Sequence, residues 1–128
     1  MTLPTKIMRV VLEAHGKAIA DLGIPRGCVW GNAVATLIER LDPIAQRLHL
    51  PRLRSFLVDP PAADARWYPP AEGLRTVRGL IATLKSDPAA AETLTPDEAH
   101  GVLWDLQIMD QLLSLAHQRN IRFHLSTG

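Results

Sequence analysis

TPDEAHGVLWDLQIMDQLLSLAHQRN, residues 95–120, carries a helix start, a helix stop and two apolar stripes between them. Thr95 stands at the N-cap, Pro96 in the first turn, and Glu98 where it closes a capping box. Asn120 is a natural left-handed stop, so the helix runs to about Arg119. Val102, Leu106, Met109, Leu113 and Ala116 form one stripe; Trp104, Ile108, Leu112 and Leu115 form a second beside it. Together they cover about 200° of the circumference, more than a surface helix needs. Such a helix is either the centre of a bundle or half core and half oligomer interface. In the second case it leaves apolar surface for another subunit.

Asp105 falls between the two stripes, away from the polar face of Gln107, Gln111, Ser114 and Gln118. A carboxylate left unpaired there costs several kcal/mol of desolvation, so a partner is predicted. Arg75, Arg78, the Trp30 indole N–H and His15 are the candidates. Asp105 is then either a structural pair or, with His15 in an interior pocket, the acid of a small enzyme or ligand-binding protein.

The flanking segments extend the helical pattern. Leu74, Val77, Leu80, Ile81 and Leu84 make the inner face of a helix from Pro70 to about Lys85, with Arg75 and Arg78 outside it. From Trp30 to about His49, the residues Val34, Leu37, Ile38, Leu41, Ile44, Ala45 and Leu48 share another arc. Pro43 interrupts it without shifting its phase. That predicts a kinked helix or two abutting pieces with Asp42 capping the second. Residues 5–22 place Ile7, Met8, Val11, Leu12, Ala14, Ala18, Ile19 and Leu22 on a helical arc, with His15 inside it. GIPRG at 23–27 forces a turn. Within the irregular stretch 50–70, SFLV has strand-like composition but is very short. IRFHLS at 121–126 alternates Ile121, Phe123 and Leu125 against Arg122 and His124, which predicts one short strand. The expected fold is mainly α: a single domain over 1–128, a bundle of about four helices with one short C-terminal strand.

Composition narrows the function classes. A chain of 128 residues, 47% hydrophobic, can bury a core without disulfides. Its single cysteine, Cys28, excludes an internal disulfide and a Cys-cluster zinc site, which points to a reducing compartment. The first twenty residues are a poor signal peptide, because Arg9, Glu13 and Lys17 break their apolar run. No run approaches the roughly 20 apolar residues of a membrane span. A cytoplasmic protein is expected.

The net charge of +1 conceals an uneven distribution. Residues 1–54 hold eight Lys/Arg against four Asp/Glu; residues 55–128 hold six against nine, and 86–110 contains no Lys or Arg. Complementary halves predict that opposite charges meet within the fold or between subunits. Arg47, Arg52 and Arg54 either balance the acidic 86–110 segment or hold the phosphates of a nucleic acid. The overall balance is not that of a dedicated nucleic-acid footprint.

No motif for catalysis or a cofactor emerges. There is no G-x-S-x-G, no P-loop and no GxGxxG. His15, His49, His100, His117 and His124 lack the spacing of metal ligands, although a strand folding back could bring His117 and His124 together. Arg26 could lower the Cys28 pKa, but GCVWG reads as a packed helix start. Neither cofactor nor metal is expected.

ARWYPPAEGLRTVR at 65–78 offers the best partner-binding residues. Pro69 and Pro70 hold Trp67 and Tyr68 near the first turn of the following helix, close to Arg75 and Arg78. Trp, Tyr and Arg dominate interface hot spots. The alternative for the two aromatics is a hydrophobic staple that closes the bundle.

WYPPAEGLRTVRGLIATLKSDP, followed by a long helix ending in RNIRFHLSTG, resembles small uncharacterised bacterial proteins that share a Trp-aromatic-x-Pro-x-Glu-Gly-Leu helix start and a terminal Arg-Phe-His-Leu strand. The resemblance covers roughly residues 50–128. It implies a bacterial source and a fold, and no residue roles. The function expected from the residues is non-enzymatic: a protein-binding or regulatory module, homodimeric, compatible with an immunity-like or adaptor role.

Overall fold

The computed structural model describes residues 8–12, 32–58, 66–87 and 92–126. In chain order these form β1 (Arg9–Leu12), α1 (Asn32–Arg47), a 3₁₀ turn (Leu53–Phe56), α2 (Pro70–Ser86), α3 (Pro96–Gln118) and β2 (Phe123–Ser126). The protein is mainly helical, with three helices among the described residues and one two-stranded antiparallel sheet. His15, the turn at 23–27, Cys28 and Trp30 lie outside the described residues.

The expected helix over 5–22 is overturned at residues 9–12, which are strand. Met8 and Val10 point into the core while Arg9 is exposed, a two-residue alternation that the broader apolar arc conceals. β1 pairs antiparallel with β2, Val10 opposite Leu125 and Leu12 opposite Phe123. On its other side β2 is held by Tyr68, whose N–H donates to the Phe123 carbonyl at 2.7 Å, and by the Val58 N–H on the Leu125 carbonyl at 2.9 Å. The expected C-terminal strand is present, but it does not keep a polar face. His124 is as buried as Phe123 and Leu125, and the Trp67 ring covers it at 4.4 Å between centroids.

The three described helices lie close to their sequence-derived bounds. α1 continues unbroken through Pro43, so Asp42 is an interior residue of one helix and not the cap of a second. Its end is a Schellman motif: His49 adopts φ 57°, the His49 N–H donates to the Gln46 carbonyl, and the Leu50 N–H donates to Ala45. α3 ends the same way, with Asn120 at φ 56° and the Ile121 N–H on the Ala116 carbonyl. At its start both halves of the Thr95–Glu98 capping box are formed. SFLV forms no extended strand: Ser55 and Phe56 end a 3₁₀ turn whose exit residue, Leu57, makes a single bridge to Leu125.

One apolar cluster joins all these elements. Helix α3 runs through it, packed on α2 most extensively and also on α1 and β1. The first stripe of α3 is wholly buried. The second is divided: Leu112 is buried, Ile108 and Leu115 are half-buried, and Trp104 is 53% exposed. The wide apolar arc is thus used mostly inside the fold, with Trp104 left at its outer edge.

Candidate functional site

The polar residues of interest occupy three separate places. The first is Asp105, which is 3% exposed, as its position between two stripes predicts. Among the described residues its partner is neither Arg75 nor Arg78 but a backbone N–H. The Val34 N–H at the start of α1 donates to Asp105 Oδ2 at 3.1 Å. The opening turn of a helix has N–H groups without intrahelical acceptors and a partial positive charge. Asp105 therefore caps α1 from a different helix.

The second is Asp42, 6% exposed on the inner side of α1. Its Oδ2 meets Arg54 Nε at 3.6 Å, while Oδ1 has no hydrogen-bond partner among the described residues. Burial pushes this carboxyl above its ordinary value. The nearby Arg54 and Leu53 backbone N–H groups and the charges of Arg54 and Arg52 pull the other way without cancelling it. A folded carboxyl that holds its proton more tightly than the unfolded one adds stability that is fully present below the unfolded pKa. That stability is lost as pH rises through the folded pKa. Asp42→Asn removes this dependence. Urea titrations should show the wild type gaining on Asp42→Asn as pH falls from about 7 to about 4; a difference that stays flat would contradict the assignment.

Arg54 also meets Glu39 at 3.6 Å, so its charge is used beside α1 and not against residues 86–110. The acidic segment draws on other bases: Arg40 reaches Glu98 at 3.2 Å, and Arg78 reaches Asp110 at 3.3 Å. The Arg40–Glu98 pair joins the basic first half to the acidic second half inside one chain. Arg47 makes no ion pair or hydrogen bond among the described residues.

The third place is an open groove of about 340 Å³ between α2 and α3. Ala71 and Leu74 supply its apolar lining. Arg75 and Arg78, one helical turn apart on α2, edge one side; Ser114, His117 and Gln118 on α3 edge the other. Arg78 is fixed there. It donates to both Asp110 oxygens at 3.3–3.4 Å and to Ser114 Oγ at 3.1 Å, and the Ser114 hydroxyl donates onward to Asp110 Oδ1 at 3.0 Å. An exposed ion pair of this kind contributes little to stability. Its effect is to hold one guanidinium in a set orientation. Arg75 beside it has no ion pair or hydrogen bond among the described residues. The groove therefore presents one anchored and one uncommitted guanidinium over an apolar lining, a combination suited to carboxylate or phosphate.

The structure divides the four expected partner-binding residues. Arg75 and Arg78 line the groove. Tyr68 packs edge-on against Phe56 at 5.2 Å and closes the core beside Phe123, and Trp67 lies tilted over His124. Both aromatics are half-buried against β2. The sequence reading does not group Ser114, His117 and Asp110 opposite α2, although their spacing of four and three residues carries the signal: they line one edge of α3 and so can face the Arg75–Arg78 edge of α2.

Among the described residues no group of three or more His, Cys, Asp or Glu could hold a metal ion, and no helix is long and apolar enough to cross a membrane. No protein family, curated protein or solved structure matches the chain.

Proposed function

We propose that this chain is a non-enzymatic protein-binding module that receives an acidic segment of its partner in the α2–α3 groove. The observation that carries the reading is Arg75: a guanidinium without a counter-ion among the described residues, next to Arg78 held by Asp110 and Ser114. A partner carboxylate is the natural complement to that pair. The Ser114 hydroxyl on the groove edge gives its proton to Asp110 and accepts from Arg78, which suits anchoring and not attack. An immunity-like or adaptor role in the cytoplasm belongs to the same proposal.

The test is a titration with a hexaglutamate peptide followed by amide chemical shifts, in parallel with a single-stranded oligonucleotide, both at physiological salt. Shifts should concentrate in residues 71–78 and 114–118, and Arg75→Glu should weaken peptide binding about tenfold or more. Arg75 is exposed, so the charge reversal leaves the core intact. Peptide shifts absent from the groove would overturn the proposal. So would salt-dependent, sub-micromolar oligonucleotide binding that falls when Arg47 and Arg52 become Ala, because it would move the site to the end of α1.

A further inference from the structure

We infer that the outward seam of α3 pairs two copies of this chain, antiparallel, about a two-fold axis at Ile108. This pairing uses no residue of the α2–α3 groove, so it stands apart from the acidic-segment reading. Three observations carry it.

The first is exposure. Trp104, at 53%, is the most exposed large apolar side chain among the described residues; the other above a third exposed, Leu48, lies beyond the end of α1. Trp104 sits mid-helix with half-buried Ile108 and Leu115 one and three turns further on. The second is spacing. From Asp97 the seam passes to Trp104, Ile108, Gln111 and Leu115 in steps of seven, four, three and four residues. That is the 3.5-residue period by which one helix keeps a narrow stripe against another, laid on the outside of a helix whose inside is already packed.

The third is charge. Asp97 lies eleven residues before Ile108 and Arg119 eleven after it. Both are exposed, and neither makes an ion pair among the described residues. A two-fold axis at Ile108 sets Asp97 of each copy opposite Arg119 of the other and forms the pair twice, the self-complementarity that an isologous interface requires. A parallel arrangement would bring like charges together at both ends. The same axis lays each Trp104 over the Gln111–Leu112 turn of the other copy, where an aromatic anchor at the centre of an interface has most effect.

Sedimentation equilibrium of the full chain from about 1 to about 500 μM tests this, read against the micromolar affinities of small interfaces. A monomer–dimer equilibrium should appear. Trp104→Ala should raise its Kd about tenfold or more with an unchanged circular dichroism spectrum, since the side chain is exposed in the monomer. Asp97→Arg alone should weaken the dimer, and Asp97→Arg combined with Arg119→Asp should restore it. A monomer at every concentration, a dimer indifferent to Trp104→Ala, or a double variant no tighter than the single one would each overturn the inference.

Discussion

Asp105→Ala should cost about 3 kcal/mol and should loosen α1, the helix it does not belong to. The substitution removes a hydrogen bond between a carboxylate and a buried N–H, a contact in the range of about 1.5–3 kcal/mol. It also strands the Val34 N–H in a fully buried position, and it withdraws the negative charge from the positive end of α1. Asp105→Asn should cost only about 1 kcal/mol. Asparagine is as good a cap as aspartate, and its amide oxygen can still accept from Val34; only the charge is lost. Urea unfolding gives the two values, and amide exchange locates the damage. The Val34 N–H and its neighbours should lose protection in Asp105→Ala while residues 109–116 keep theirs at equal global stability. Equal costs for Ala and Asn, or loss of protection centred on α3, would remove the capping role.

Phe123→Ala should be more damaging still, about 3–5 kcal/mol, the usual range for a buried phenylalanine. Phe123 is fully buried. Its ring packs against Phe56 at 5.3 Å and near Tyr68 at 6.3 Å, and its backbone joins β2 to Tyr68. It also explains Gly73. A Cβ on Gly73 would stand 2.5 Å from Phe123 Cζ and 3.1 Å from Leu113 Cδ1, and the ring, wedged among other rings, has nowhere to go. Gly73→Ala should therefore destabilise by about 1–3 kcal/mol despite alanine's better helix propensity. In a Phe123→Leu background, where the ring tip is absent, the same change should cost clearly less. Gly79 is the contrast: the atom its Cβ would meet is the end of the half-buried, flexible Leu50 side chain, so Gly79→Ala should be neutral or mildly stabilising. Additive costs for Gly73→Ala and Phe123→Leu would show that the contact does not exist.

What the sequence revealed follows from how local each determinant is. The α3 start is a four-residue device, Thr95 to Glu98, and formed as expected; Asn120 stopped the helix as a single residue can. The burial of Asp105 followed from its angular position on its own helix. Its partner did not, because a backbone N–H that lies 71 residues away leaves no mark in composition. β1 is hidden in the sequence for the same reason. Arg9-Val10-Val11-Leu12 pairs with residues more than a hundred positions away, and that tertiary partner outweighs the weak helical arc. The polar face expected at His124 failed because a second layer, Trp67, covers it. Half of the candidate groove was legible as Arg75 and Arg78 outside the apolar stripe of α2. The other half needed the packing of α3 to bring Ser114 and His117 opposite them.

The pairing of β1 with β2 has a consequence for synthesis. Val10 leaves the ribosome more than a hundred residues ahead of Leu125, so until Leu125 emerges its strand lacks that hydrogen-bonding mate. The three helices depend on closer contacts and can gather while the chain is still tethered. The sheet closes only once Phe123–Ser126 has emerged. Until then Met8 and Val10, both fully buried in the finished fold, remain exposed apolar groups on an unpaired edge, and this interval is when the nascent protein is most open to a chaperone.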